Sequence, residues 1–208
     1  MSEMTAFTLL EGRLTLVCPK GYPRPPEDAL HLAHFAAPYA QGTGVDAGCG
    51  IGTVGLALLA LGAKCQLQGV DNQAVLIHAA AQNAEKNNAP YQATHGDILT
   101  HTPQKKVQFI VCNPPFYEEE KGHTTAHEAN KARHHMPQGL LEAWLTQFDR
   151  WLEEGGWIAL ALHAHQQAKL EAWAVQNNYN LKVTPRPTTP NRPPKRILAK
   201  LDKPTPAS

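Results

Sequence analysis

Apolar positions recur along this chain in two rhythms, and the changes between them mark out its elements. Phe7–Leu10 and Arg13–Val17 are short apolar runs on either side of Glu11-Gly12, which predicts a small hairpin with glycine in the turn. Pro23, Pro25 and Pro26 then break the pattern. Leu30, Leu32, Ala33 and Phe35 supply the packing positions of a short helix over Asp28–Ala37.

From Gly44 onward the two rhythms alternate. Gly44–Ala47 reads as a short buried strand, and Gly52–Leu61 is apolar enough for a buried helix. Cys65–Val70 is a strand ending at Asp71, and Gln73–Lys86 is a helix with Asn72 as its expected N-cap. Tyr91–Thr94 and Val107–Cys112 read as strands. Gly139–Leu152 is an amphipathic helix that Gly155-Gly156 should stop. Trp157–Leu162 is a strand and Gln166–Gln176 a helix. Leu181–Val183 and Arg196–Leu201 close the chain as two strands around a Pro-rich loop.

Strands alternating with helices predict an α/β fold, a mostly parallel sheet with helices on both faces. In such sheets ligands bind beyond the carboxyl ends of the strands. The residues that follow each strand therefore carry the functional expectation: Asp46–Gly52, Asp71, Asp97 and Asn113–Phe116.

A length of 208 residues suits one α/β domain with a real core and is too short for two large ones. The expected division is an N-terminal hairpin and helix over 1–43 and a core over 44–208. No apolar run reaches the roughly 18–20 residues of a membrane span, and the N-terminus does not read as a signal peptide. Cys18, Cys49, Cys65 and Cys112 are widely spaced and form no Cys-x-x-Cys pair, which argues against a disulfide framework or a zinc knuckle. A reducing cytoplasm is the expected compartment.

Net charge is only +1, but its distribution is uneven. Lys182–Lys203 carries seven basic residues and one acid, a net of +6, while the remainder carries twelve basic and seventeen acidic residues, a net of −5. That asymmetry fits either an edge that meets a polyanion or a solvated terminal segment.

Asp46-Ala47-Gly48-Cys49-Gly50-Ile51-Gly52 places an acid and three alternating glycines at a strand–helix junction. Such glycines allow a sharp turn and a close ligand, and the next helix offers free N–H groups. Asp71, at the end of the next strand, can accept hydrogen bonds from both hydroxyls of a ribose. Gly50-x-Gly52-x-x-Gly55 also matches the dinucleotide fingerprint. Two features oppose that reading. Asp46 would repel a pyrophosphate but welcome an ammonium, and the feature at Asn113 has no part in hydride transfer.

Asn113-Pro114-Pro115-Phe116 directly follows an apolar strand. An exocyclic amine on an aromatic ring is a poor nucleophile because its lone pair is delocalised. The Asn113 side-chain carbonyl and the Pro114 backbone carbonyl can accept hydrogen bonds from that NH2 group. The prolines stiffen the turn, and Phe116 offers a face for a flat ring. Positioning then does most of the catalysis, without a metal or a strong base. The motif admits N6 of adenine, N4 of cytosine, N2 of guanine or a glutamine amide.

With these residues together the sequence resembles the class I S-adenosylmethionine-dependent methyltransferases. The resemblance implies a Rossmann-like, seven-stranded sheet of order 3-2-1-4-5-7-6 with strand 7 antiparallel. It implies that Asp46, Gly48, Gly50 and Gly52 lie near the methionine part of S-adenosylmethionine. Asp71, with its neighbour Asn72, would hold the ribose, Asp97 and Ile98 would lie by the adenine, and Asn113 would stand where donor and acceptor meet.

The wider chain is similar to the bacterial tRNA adenine-N6 methyltransferases of the anticodon loop. The similar parts are Leu9–Lys20, Asp28–Ala33, the glycine motif, Asn113–Phe116 and Pro193–Leu198. That likeness implies tRNA as the partner, Asp28 close to the donor, and methylation at N6 of adenine. A protein-glutamine methyltransferase normally carries a helical substrate domain before its core, whereas Asp46 follows only a short segment here. The clustered charges Arg186, Arg192, Lys195 and Arg196, with Lys20 and Arg24 before the first helix, are the expected phosphate contacts. Glu118–His135 departs from the family. Its histidines fit no standard metal spacing, so a polar loop beside the reaction site is expected and a metal is not.

Overall fold

The computed structural model describes residues 3–114, 139–186 and 193–205. Its centre is a seven-stranded sheet of β3 (Gln41–Ala47), β4 (Lys64–Asp71), β5 (Tyr91–His95), β6 (Val107–Cys112), β7 (Leu152–His163), β8 (Asn180–Arg186) and β9 (Arg196–Asp202). The order is β5-β4-β3-β6-β7-β9-β8. Numbered from β3, this is the expected 3-2-1-4-5-7-6. The first five strands run parallel, and β9 lies antiparallel to both β7 and β8.

Two buried clusters cover the sheet. On one face pack α1 (Glu27–Ala36), α2 (Thr53–Ala60) and α3 (Ala74–Lys86). On the other pack α4 (Leu140–Trp151) and α5 (Gln167–Gln176). The α4 residues Leu141, Leu145, Phe148 and Trp151 are buried at helical spacing. Each such side chain contributes about 1.5–3 kcal/mol relative to exposure.

The N-terminal hairpin pairs β1 (Met4–Leu9) with β2 (Leu14–Pro19) around a tight turn at Leu10–Gly12. The outer edge of β2 is closed by Asn83 of α3 and by Asn87 just after that helix. Val17 N–H donates to Asn83 Oδ1 at 2.6 Å, and Asn83 Nδ2 donates back to Val17 O at 3.0 Å. Asn87 repeats the arrangement with Thr15, at 3.1 and 2.7 Å. Two side-chain amides thus take the place of a neighbouring strand, leaving no open ladder on that edge.

Among the boundaries that differ from the sequence reading, three involve specific contacts or glycine turns. β3 begins at Gln41 rather than Gly44, through a glycine-rich stretch with no strand signature. Gly44 lacks a side chain because the Phe109 ring occupies that space, 2.4 Å from where a Cβ would stand, stacked on Trp157 at 4.9 Å. α3 begins at Ala74, and Asn72 does not cap it. Asp71 Oδ1 instead takes the Gln73 N–H at 2.9 Å. The third difference is at Gly155-Gly156. β7 begins at Leu152, immediately after α4, so these glycines lie inside the strand, where Gly155 turns at φ +75 and the register with β6 shifts.

Candidate active site

The parallel register brings the ends of the central strands together. Ala47 of β3 pairs with Val70 of β4 on one side and Cys112 of β6 on the other. Gly48, Asp71 and Asn113 therefore emerge side by side at the carboxyl edge of the sheet. The expected donor and acceptor residues share one rim.

The glycine loop is stitched down by its neighbours. Gly48 and Cys49 donate their N–H groups to Val70 O at 2.8 and 3.1 Å. Gly50 N–H donates to Asp71 Oδ2 at 2.9 Å. Gly48, Gly50 and Gly52 all have positive φ, at +67, +55 and +83, a conformation that other residues adopt only with strain. Asn83 Nδ2 donates to Ile51 O at 2.9 Å, so the side chain that clasps β2 also holds the loop.

Asp71 is buried, and each of its oxygens already accepts one backbone N–H. A carboxylate oxygen accepts more than one bond, so lone pairs remain for a vicinal diol. Burial raises the Asp71 pKa, against the hydrogen bonds from Gln73 and Gly50 that lower it. Asn72 is exposed beside it, its carbonyl 3.0 Å from His95 Nε2. Asp97 is exposed in a turn, with Oδ1 accepting Leu99 N–H at 2.8 Å. Ile98 is buried, and its side chain reaches 4.0 Å from the position of a Cβ on Gly48.

Asp46 is fully buried at the end of β3. Its Oδ2 accepts Gly55 N–H at 2.9 Å and the Tyr91 hydroxyl at 3.1 Å. Burial pushes its pKa up to about 7, with those two hydrogen bonds pulling the other way. The carboxylate that sequence reasoning aimed at an ammonium thus also anchors the first turn of α2.

Asn113 directly follows β6, and its side-chain Oδ1 is buried without a hydrogen-bond partner among the described residues. Such an acceptor costs about 1–3 kcal/mol unless something donates to it. Pro114 beside it is buried. Pro115 and Phe116, and the whole of Glu118–His135, lie outside the described residues.

The cationic residues fall in two groups. Arg186 and Arg196, at facing ends of β8 and β9, both reach Asp28 in the first turn of α1. Arg186 Nη1 donates to Asp28 Oδ1, and Arg196 Nε donates to Oδ2 at 3.0 Å. The structure therefore engages Asp28 with two guanidiniums, beside the carboxyl end of β7. Lys195 is exposed next to them. Arg192 lies outside the described residues. On the hairpin side, Lys20 pairs with Glu3 at 2.8 Å, and Arg24 lies over the Phe7 ring at 5.3 Å.

Sequence reasoning missed three residues here: Asn83, Tyr91 and Trp144. Trp144 of α4 closes over Gly48, with ring atoms 3.7 and 3.8 Å from the position of a Cβ there. All three read as ordinary core or helix residues, and their partners are distant in the chain.

The acid–glycine loop, the Asp71 carboxylate and the Asn113 amide thus stand on one rim. The family model for the methyltransferase small domain matches residues 28–170. The chain belongs to that family. Among curated relatives, it is 28% identical over 148 residues to the tRNA1(Val) (adenine(37)-N6)-methyltransferase of Glaesserella parasuis, covering 69% of this chain and 60% of that protein. It is 35% identical over 94 residues to the ribosomal RNA large subunit methyltransferase G of Colwellia psychrerythraea, covering 43% of this chain and 24% of that protein. The chain thus spans less than two thirds of either relative's length.

The fold is shared with a 16S rRNA N2 methyltransferase from T. thermophilus, solved with AdoMet and guanosine. That match has a TM-score of 0.67 at 17% identity and covers 97% of this chain and 50% of that one. Among the described residues no helix is long and apolar enough to cross a membrane.

Proposed function

We propose that this methyltransferase uses S-adenosylmethionine to methylate the exocyclic N6 amine of an adenine in tRNA. The observation that supports the amino-methylation is the buried Oδ1 of Asn113 beside the glycine loop, which has no partner among the described residues. It is an acceptor already in place for an NH2 group.

The residues fit the donor. Asp71 keeps lone pairs for the ribose hydroxyls, Ile98 and Trp144 wall the space over Gly48, and Asp97 lies at the adenine end. Asp46 and the glycine loop face the amino-acid part. When bound, S-adenosylmethionine supplies an electrophilic methyl on a positively charged sulfur. Asn113 accepts a hydrogen bond from the acceptor amine, drawing its lone pair out of conjugation and aiming it at that methyl. As the N–C bond forms, the C–S bond breaks, and the amine gives up one proton to water. The protein supplies orientation rather than a strong base.

For the acceptor, the tRNA relative supports adenine N6, since its similarity runs through more than two thirds of this chain. Arg186, Lys195 and Arg196, together with Arg192, Lys20 and Arg24, are the phosphate contacts in this reading. A second reading is ribosomal RNA, with guanine N2 as its acceptor. Its ribosomal RNA part is favoured by the higher identity of the Colwellia relative over its shorter match.

Nucleoside mass spectrometry of tRNA and rRNA, from cells with and without the gene, separates the two. Loss of N6-methyladenosine from tRNA supports the proposal. Loss of N2-methylguanosine from rRNA replaces it with the second reading.

A further inference from the structure

Tyr91 opens β5, two strands away from Asp46, yet the two side chains touch. The phenol crosses over β4 at Gly69, where a Cβ would lie 1.9 Å from its oxygen. It then passes Gly55, where a Cβ would lie 2.4 Å from the ring and 3.0 Å from Asp46 Oδ2. Two glycines on different elements therefore leave a channel of the ring's width. At its end the hydroxyl meets Asp46 Oδ2 at 3.1 Å, the same oxygen that takes Gly55 N–H. Gly55 formally completes the dinucleotide fingerprint, but here its bareness serves the tyrosine.

We infer that Tyr91 is a positioning residue of the donor site: its hydroxyl holds Asp46 as an ionised carboxylate against the glycine loop, and so sets how tightly the ammonium of the donor is bound. This inference rests on the reading of Asp46–Gly52 as the donor cradle.

The groups around Asp46 come from every strand end that meets it. They are Tyr91 from β5, Cys49 from the loop, Asp71 from β4 and Cys112 from β6, with the Gly55 N–H from α2. Burial pushes the phenol and both thiols well above their ordinary values, so these three stay neutral. Asp71 adds repulsion between like charges. Burial lifts Asp46 to about 7, and only two hydrogen bonds oppose that rise. Without the phenol one of them is gone, and Asp46 takes up its proton at a higher pH. An ammonium then meets a neutral acid over a wider range, so affinity is lost as pH falls.

The test is calorimetry of S-adenosylhomocysteine binding to the full chain, from roughly pH 6 to 9, in wild type and Tyr91→Phe. Titration of the ligand is common to both proteins and drops out of the comparison. Wild-type affinity should fall as pH drops through about 7. Loss of a hydrogen bond to a charged group should move the variant's midpoint up by about one unit. That makes it roughly fivefold weaker at pH 7 and nearly equal at pH 9. Profiles of identical midpoint overturn the inference, even with a uniform loss of affinity.

Asp46→Asn provides a second arm that does not depend on Tyr91→Phe folding. It should bind weakly and lose the step near neutrality, and an unchanged step would overturn the inference as well. If wild type binds at no pH, the donor reading itself fails.

Discussion

Asp71 reaches back to the glycine loop and holds Gly50: its Oδ2 accepts the Gly50 backbone N–H at 2.9 Å, while Oδ1 accepts that of Gln73 at the same distance. One carboxylate therefore fixes the loop, begins α3 and, in the proposed donor site, would take the ribose. A change here should damage binding twice, through the lost ribose acceptor and the slackened loop. Hydrogen bonds to charged groups are worth about 1.5–3 kcal/mol. Asp71→Ala should thus weaken S-adenosylhomocysteine by at least about tenfold in calorimetry. Unchanged affinity would remove Asp71 from the donor site.

Asn113 should separate stability from activity. Among the described residues nothing donates to its buried Oδ1, a cost to the folded protein that a bound amine would relieve in the proposed reaction. Asn113→Ala should leave thermal stability unchanged or raise it by about 1 kcal/mol. Methyl transfer should fall by about a hundredfold or more, as when a preorganised polar group is removed from a reaction centre. Donor affinity should hold. A variant that loses stability but keeps turnover would make Asn113 a structural turn residue.

The channel for Tyr91 makes a quantitative claim about Gly69. Overpacking of this kind costs about 1–3 kcal/mol. Gly69→Ala should cost at least that much, since its Cβ would meet the hydroxyl at 1.9 Å and ring carbon Cζ at 2.5 Å. Removing the hydroxyl relieves the worse of those contacts. In a double-mutant cycle, Gly69→Ala with Tyr91→Phe should therefore lose less than the sum of the two single changes. Denaturant unfolding reads this directly, and strict additivity would place the ring elsewhere.

The frame of the molecule was legible because it is written in local pattern. Val107–Cys112 is an unbroken apolar run that ends at Asn113, and that strand appears with those bounds. Asp71 ends its strand as expected. The first half of β3 was not legible. Gly42 and Gly44 carry no apolar signal, and Gly44 is bare because of Phe109, which lies 65 positions on. Asn72 looked like a cap by residue type, but Asp71 already served Gln73. Asn83 reads as one polar residue in a helix, although it joins β2 to Ile51. The missed roles of Gly44 and Asn83 are pairings between residues remote in sequence, which pattern and propensity do not record.

That asparagine should be costly to change. Asn83 is fully buried, and its amide accepts one backbone hydrogen bond and donates two. Asn83→Ala strands Val17 N–H and two carbonyls away from water. At about 1–3 kcal/mol for each unsatisfied group, the loss should reach about 2–4 kcal/mol after partial relaxation. Asn83→Asp should be no better, because a carboxylate cannot donate to Val17 O or Ile51 O. Hydrogen exchange should show β2 and the glycine loop opening together, since one side chain ties both. Opening confined to β2 would break the link to the loop.

The basic rim divides into residues with different obligations. Arg196 is bound to Asp28, part-buried, and helps pin α1 to β9. Lys195 is exposed. Lys195→Ala should leave stability within about 0.5 kcal/mol, as for most surface changes. If the side chain meets a phosphate of a single-stranded loop, the variant should lower the slope of log affinity against log salt by about 0.7. Arg196→Ala removes one of the two guanidiniums on Asp28 and should cost about 1–2 kcal/mol of stability before any effect on RNA. The double variant should raise the Michaelis constant for tRNA and flatten its salt dependence further. Donor affinity should stay the same, because neither side chain supports the glycine loop. An unaltered salt slope in Lys195→Ala and in the double variant would make this edge a solvated face and move the RNA to another part of the rim.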